Sequence, residues 1–217
     1  GPAGVAADPA GNLYVAELSN NRIQKFSGAG TAYSEPPLAF QLAWGSFGTG
    51  DGQFDLPYGV ATSISGSVYV VDLNSARVQR FSSTGAFLSK WGSPGSGAGQ
   101  FGTTQGVATD LAGYVYVVES SNRVQRFDAF GTYVTQWGSA GTGNGQFNSP
   151  VGVATDAAAN VFVADKANHR IQKFNAGGTY LTQWGILGSG NGQFNLPTGV
   201  ACDAAGNVFI ADQNNHR

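Results

Sequence analysis

Short apolar runs separated by polar turns follow one another along the entire chain. The stretch from Pro150 to Phe194 shows the pattern, with four runs at 152–156, 161–165, 170–174 and 179–184. The second run, Val-Phe-Val-Ala-Asp, is nearly continuously apolar, which is typical of a strand buried on both faces. Val, Phe, Tyr and Thr fill the runs, and no apolar spacing of about 3.6 residues lasts beyond a single turn. The pattern therefore predicts an all-β chain with four strands in each unit.

The same unit recurs along the chain with a period of about 47 residues. Gly-Val-Ala begins at residues 4, 59, 106, 152 and 199, Trp-Gly begins at residues 44, 91, 137 and 184, and Gln-Phe ends at residues 54, 101, 147 and 194. These markers divide the chain into repeats at about 2–54, 57–101, 104–147, 150–194 and 197–217. We expect the repeats to form one domain, in which the last repeat holds only two strands.

Four consecutive strands, a longer connection to the next unit and one Trp per unit favour the blade of a β-propeller. A β-solenoid would need shorter coils, and an immunoglobulin-type sandwich would not repeat its sequence. A buried Trp removes about 150–250 Å² from water, which stabilises by about 4–6 kcal/mol before the entropy cost. We therefore expect four tryptophans to be structural and to pack between neighbouring blades: Trp44, Trp91, Trp137 and Trp184.

The full pattern P-x-G-V-A-x-D-x-x-G-N-[VL]-[FY]-[VI]-A-[DE]-x-x-N-x-R-[IV]-Q-[KR]-F resembles the NHL-repeat β-propellers over essentially all 217 residues. The second repeat departs most, because Ser63 replaces the Asp and Ala76 interrupts the Asn-x-Arg turn. The resemblance implies six blades, which would need about 280 residues at this period. The chain is therefore predicted to hold about 4.5 blades of a six-bladed ring and to be incomplete at one or both ends.

The sequence contains no Met, which favours a fragment of a longer propeller over a ring completed by a partner chain. An open arc exposes blade edges that can pair with other strands, so we also predict self-association through those edges.

Charge and cysteine content exclude several classes of function. The net charge is −2 with only 11 basic residues, so no overall basic field attracts nucleic acid or an anionic membrane. No apolar run approaches the roughly 18 residues of a membrane span, and membrane insertion is not expected. The single cysteine, Cys202, excludes an internal disulfide and fills a slot held by Thr in three other repeats. A small buried strand residue is therefore favoured over a nucleophile.

An acid ends each second strand and an Arg begins each third strand, as Asp165 and Arg170 do in the fourth repeat. Such residues are cross-strand neighbours, and we interpret the pair as a structural ion pair that closes the hairpin. An active site would need one such set, whereas the chain has five. The glycine loops lack the following helix and the Lys of a phosphate-binding loop, so they are interpreted as tight turns between blades.

His169 and His216 occupy the same turn position in adjacent repeats. We interpret them as exposed turn residues and keep both as candidates for ligand binding. Their equivalent positions do not give the convergent geometry of a metal centre, so no metal ligand and no catalytic residue is predicted. No cofactor is predicted either, although a bound calcium or zinc ion is left open.

The first repeat is eight residues longer than the others: 22 residues separate Arg22 from Trp44, and 14 separate Arg77 from Trp91. In an up-and-down blade, this insertion lies at the end of the propeller opposite the charged turns and glycine loops. Loops on rigid scaffolds often carry function, and this loop breaks the repeat. Tyr33, Glu35 and Phe40 are therefore predicted to contact a ligand.

The leading hypothesis for function is a noncatalytic propeller scaffold that binds or senses a protein or a small ligand. The resemblance implies a module of a larger protein, often extracytoplasmic in bacteria or attached to a ubiquitin ligase in animals, and we favour an extracytoplasmic bacterial location. It also brings an alternative, a lyase or lactonase-type propeller enzyme. The peptide-amidating and streptogramin-type lyases share the architecture and use His with a metal, so that site would lie largely outside this segment. Single-stranded RNA binding is a weaker alternative.

Overall fold

The computed structural model describes residues 1–27 and 38–217 and arranges 18 strands of this part of the chain in five antiparallel sheets. Blade 1 consists of β1 (Pro2–Ala7), β2 (Leu13–Glu17), β3 (Arg22–Phe26) and β4 (Phe40–Trp44). Blade 2 consists of β5 (Pro57–Thr62), β6 (Val68–Asp72), β7 (Arg77–Phe81) and β8 (Phe87–Trp91). Blade 3 consists of β9 (Thr104–Thr109), β10 (Val115–Glu119), β11 (Arg123–Phe127) and β12 (Tyr133–Trp137). Blade 4 consists of β13 (Pro150–Thr155), β14 (Val161–Asp165), β15 (Arg170–Phe174) and β16 (Tyr180–Trp184), and the partial blade 5 of β17 (Pro197–Cys202) and β18 (Val208–Asp212).

Each complete blade is an up-and-down sheet in which sequential strands are neighbours. The sequence-based prediction of an all-β propeller with four four-stranded blades and half of a fifth is confirmed. The six-bladed ring stays a prediction. The helices of the described residues are three-residue 3-10 turns, and none of them is long or apolar enough to cross a membrane.

The first strands of consecutive blades lie side by side around the axis of the propeller. The glycine of Gly-Val-Ala makes this close approach possible. A Cβ atom on Gly106 would stand 2.5 Å from the carbonyl oxygen of Val151, and one on Gly152 would stand 2.5 Å from that of Thr198. Neither distance accommodates a side chain, so the spacing of the inner strands requires Gly at this position.

Threonine hydroxyls form hydrogen bonds between the same first strands at their C-terminal ends. Thr109 Oγ1 donates to the carbonyl oxygen of Thr62 at 2.7 Å, and Thr155 Oγ1 donates to that of Thr109 at 2.8 Å. Cys202 takes the equivalent position in β17. The position that holds Thr62, Thr109, Thr155 and Cys202 therefore lies where the first strands of neighbouring blades contact each other.

The tryptophans that end the fourth strands pack against the following blade. The ring of Trp137 lies 5.8 Å from that of Phe174 in blade 4 and 6.2 Å from that of Tyr116 in its own blade. A Cβ atom on Gly178 would stand 2.5 Å from the Trp137 indole, so the turn of blade 4 fits over this ring. The core is thus a series of similar aromatic clusters, one at each blade interface.

An ion pair fastens each glycine loop to the blade that follows it, and the pair is buried in blades 2 to 4. Arg170 Nε donates to Asp165 at 2.7 Å, and the rest of its guanidinium donates to the carbonyl oxygens of Thr142 (2.7 Å) and Gln146 (2.8 Å). The other Asp165 oxygen accepts the backbone N–H of Asn148 at 2.7 Å. The two side chains are 7% and 0% exposed. Both charges therefore close the hairpin and hold the preceding loop.

The same arrangement recurs in other blades. Arg77 donates to the carbonyl oxygens of Thr49 and Gln53, and Arg123 to those of Ser96 and Gln100. Arg22 in blade 1 is different: within the described residues it donates only to Glu17, and its side chain is 42% exposed. Arg217 also donates to three carbonyl oxygens of the glycine loop before it but is 43% exposed, so a docked loop alone does not bury the Arg.

We predict that Gly106→Ala lowers the free energy of unfolding by about 1–3 kcal/mol, because the new methyl group forces β9 away from β13. Gly177→Ala is the matched control, since its Cβ would meet nothing closer than Asn175 Oδ1 at 3.5 Å. The control should change stability by less than about 0.5 kcal/mol in urea unfolding. Equal effects of the two substitutions would contradict the role of the inner-strand contact.

We predict that Arg170→Met lowers the free energy of unfolding by about 3–5 kcal/mol, because the buried Asp165 carboxylate loses its counterion and the loop loses its donors. The control is Arg22→Met, which removes an Arg at the same repeat position that is 42% exposed and, among the described residues, donates only to Glu17. It should lower stability much less than Arg170→Met in the same denaturation measurement, because an exposed ion pair contributes little. The interpretation fails if the two variants unfold at the same denaturant concentration.

Candidate functional site

A β-bulge interrupts the pairing of every innermost strand just after its first residue. The strand register shifts between Pro57 and Val60 in β5, for example, and between Pro150 and Val153 in β13. A bulge leaves its extra residue outside the ladder and redirects the side chain. The position at the bulge is filled by a different residue in each blade: Ala3, Tyr58, Gln105, Val151 and Thr198.

These five residues line the central channel. The open channel has a volume of about 630 Å³, and it is also lined by the glycines of Gly-Val-Ala, by the following valines and, in blade 5, by Phe209 and Arg217. Tyr58, Gln105, Val151 and Thr198 are half-buried, and Ala3 is exposed. The first strand of each blade begins at the end of the propeller that carries the glycine loops. The ring of these five residues therefore lies toward the same end as those loops.

Three of the five bulge residues have polar, uncharged side chains, and the other two have apolar side chains. Tyr58 and Thr198 offer hydroxyl groups and Gln105 an amide, so they can donate and accept hydrogen bonds. Val151 and Ala3 offer apolar contact. None of the described residues that line the channel is a His, a Cys or a carboxylate. The ring can therefore orient a small molecule by a few hydrogen bonds against an apolar wall.

Sequence reasoning missed this ring, although a signal was present. The residue before Gly-Val-Ala differs in all five repeats, while Pro or Thr before it and Gly after it recur. Variation at one position inside a repeated motif indicates a position that packing does not determine.

His169 and His216 do not line the channel. Both have left-handed backbone, with φ of 55° and 54°, and end equivalent 3-10 turns. His169 Nδ1 accepts the backbone N–H of Leu196 at 3.2 Å, and His216 is exposed. Asn122 fills the same position in blade 3 and accepts the N–H of Ser149, so this position links one blade to the next. A role of the two histidines in ligand binding stays a prediction.

Tyr33 and Glu35 lie outside the described residues. Phe40 begins β4, is 58% exposed and packs edge to face on Phe26 at 6.1 Å between ring centres. The fourth strands of the other complete blades also begin with an aromatic residue, as β12 does with Tyr133. Phe40 therefore occupies a regular blade position, and its contact with a ligand stays a prediction.

Cys202 is half-buried, and burial raises the pKa of its thiol to about 11. The thiol is therefore protonated at neutral pH, which disfavours a nucleophile. Among the residues that the structure describes, no group of three or more His, Cys, Asp or Glu side chains could hold a metal ion.

Comparison with known proteins agrees with this architecture. The family model of the NHL repeat matches residues 1–26 and 147–174, which carry the first three strands of blades 1 and 4. No curated protein sequence matches the chain.

Two solved structures share the fold. A catalytically inactive virginiamycin B lyase from Staphylococcus aureus, with quinupristin, aligns with a TM-score of 0.67 and 14% identity over 98% of this chain and 64% of that chain. A streptogramin B lyase aligns with a TM-score of 0.65 and 14% identity over 98% of this chain and 68% of that chain. The present chain thus spans about two thirds of the length of these lyases, and at this identity the likeness concerns the fold. The chain therefore carries NHL repeats, matched by the family model at residues 1–26 and 147–174, in a β-propeller of four complete blades and part of a fifth.

Proposed function

We propose that this propeller is a noncatalytic binding module whose central channel holds a small, uncharged ligand. The observation that carries the proposal is the ring of bulged, blade-specific residues around the channel, in which Tyr58, Gln105 and Thr198 supply hydrogen-bonding groups. A ligand that fits such a ring has a few polar groups on an otherwise apolar body, because Val151 and Ala3 offer no partner for a second set of polar atoms.

The rigidity of the inner strands supports this function. Glycine contacts and threonine hydrogen bonds fix the distance from each inner strand to the next. A ring that is already ordered loses little conformational entropy when a ligand binds, which leaves more of the contact energy for affinity. The arginines nearest the glycine loops already donate to loop carbonyl oxygens: Arg77, Arg123, Arg170 and Arg217, of which Arg217 lines the channel.

A lyase-type propeller enzyme is the alternative function. The fold likeness to the two lyases favours it. The residues that line the described channel offer hydrogen bonds and apolar contact, so a catalytic group would have to come from elsewhere in a longer protein. Binding without chemistry needs no such addition.

We predict that a channel ligand raises the melting temperature of the protein and that Tyr58→Ala and Gln105→Ala abolish this increase. The probes are a panel of small uncharged compounds with a few polar groups on an apolar body, such as phenols, benzamides and aromatic alcohols, together with quinupristin, and binding is followed by differential scanning fluorimetry. A ligand at about 100 times its dissociation constant stabilises the folded state by about 2.7 kcal/mol. Ile64→Ala is the control, since Ile64 is 62% exposed in a turn and does not line the channel. It should keep the full increase.

Three outcomes would contradict the proposal. Equal stabilisation of the wild type and both channel variants would place the ligand elsewhere. Turnover of quinupristin by the purified protein, with stoichiometric bound metal, would favour the lyase. Retention of single-stranded RNA that weakens steeply with salt would favour nucleic-acid binding.

A further inference from the structure

The fourth residue of each complete third strand is basic, and in three of the four blades its charged group has a partner. Lys25 Nζ donates to the carbonyl oxygen of Ser83 at 3.2 Å, and Arg80 Nε to Ser67 Oγ at 3.0 Å. Lys173 Nζ lies 3.5 Å from an Asp156 oxygen. The fourth member of this series is Arg126 in blade 3.

Arg126 is the only arginine within residues 1–27 and 38–217 whose guanidinium donates to no acceptor. Its Nε is buried and has no hydrogen-bond partner. The guanidinium lies flat against an aromatic side chain instead, with its central carbon 3.6 Å from the centre of the Tyr114 ring. A buried donor without an acceptor is rare in folded proteins and calls for an explanation.

Tyr114 is itself a departure from the repeat. The equivalent position holds Asn in three other blades, and in blade 4 the amide of Asn160 donates to Asp156 at 2.8 Å. In blade 3 the corresponding acid is Asp110, which accepts the hydroxyl of Tyr116 at 2.8 Å and the backbone N–H of Tyr114 at 2.9 Å. Asp110 is 4% exposed and forms no ion pair with Arg126. Of the four basic groups, only Lys173 forms an ion pair with the acid of its blade, and in blade 3 Tyr114 replaces the Asn and carries Arg126 on its face.

We propose that Arg126, held on the face of Tyr114, binds an oxyanion, the carboxylate or phosphate group of a ligand. Stacking fixes the plane of the guanidinium, and its two terminal NH2 groups, which unlike Nε are not buried, can donate to two oxygens of a carboxylate or phosphate. The site faces blade 4, because Tyr114 packs against the cluster that contains Val153 and Phe174. It is distinct from the channel, which neither residue lines.

The sister blades provide the variants for a test. Arg126→Lys restores the residue that blades 1 and 4 carry, and Tyr114→Asn restores the residue of three other blades. Both changes are therefore compatible with a folded blade. The observable is the Nε–H signal of Arg126 in protein labelled with ¹⁵N-arginine, assigned by its loss in Arg126→Lys. Sodium acetate and sodium phosphate are titrated separately to about 100 mM, with sodium chloride keeping the ionic strength constant.

The Arg126 signal should shift and saturate with at least one of the two anions, while the Arg80 signal, whose Nε already donates to Ser67, should stay in place. Tyr114→Asn should weaken the apparent affinity about tenfold, because the plane of the guanidinium is no longer held. Saturation with acetate alone identifies a carboxylate site, and saturation with phosphate alone identifies a phosphate site. The proposal is overturned by the absence of saturation with both anions, or by unchanged affinity in Tyr114→Asn.

Discussion

In blades 2 to 4, a buried pair of an acid that ends the second strand and an Arg that begins the third is the interaction on which the arrangement of the blades depends. A buried carboxylate such as Asp165 is costly unless it is paired and its remaining oxygen is hydrogen-bonded. Arg170 and the N–H of Asn148 meet both needs, and the spare donors of Arg170 reach the loop from the preceding blade. The local pair of Asp165 and Arg170 therefore also fixes the position of the preceding glycine loop. Burial of the Arg is not a consequence of the loop alone, because Arg217 donates to three loop carbonyl oxygens and is still 43% exposed.

The spacing of the inner strands follows from this docking. With the loop fixed on the next blade, the next inner strand begins at a defined place, and only Gly at positions such as Gly106 permits the resulting distance. The same repetition explains where specific function can arise. The glycines, tryptophans and arginines that hold the blades together recur in every complete blade, so blade-specific chemistry comes from the positions that differ between blades. The bulge at Tyr58 and Gln105 and the turn position at Tyr114 are such places.

The strands and the bladed architecture could be predicted from the sequence because periodic features determine them. The run Val161–Asp165 is apolar throughout and is buried throughout, and the Trp spacing gives the blade interfaces. The site residues were harder to find for physical reasons. No residue type in the sequence indicates the bulge that directs Gln105 toward the channel. The sequence also does not indicate that His169 accepts the backbone N–H of Leu196. Those properties depend on strand register and on contact between blades about 47 residues apart.

The two proposed sites differ in chemistry and lie toward opposite ends of the propeller. The channel ring stands near the start of the first strands, at the end that carries the glycine loops. Arg126 stands near the end of β11, beside the turn that leads to β12. The channel offers uncharged hydrogen-bonding groups, whereas Arg126 offers a positive charge beside an aromatic face. Ligands at the two sites would therefore share no contact residue, and the stiff inner strands between them leave each site free to bind without rearranging the other.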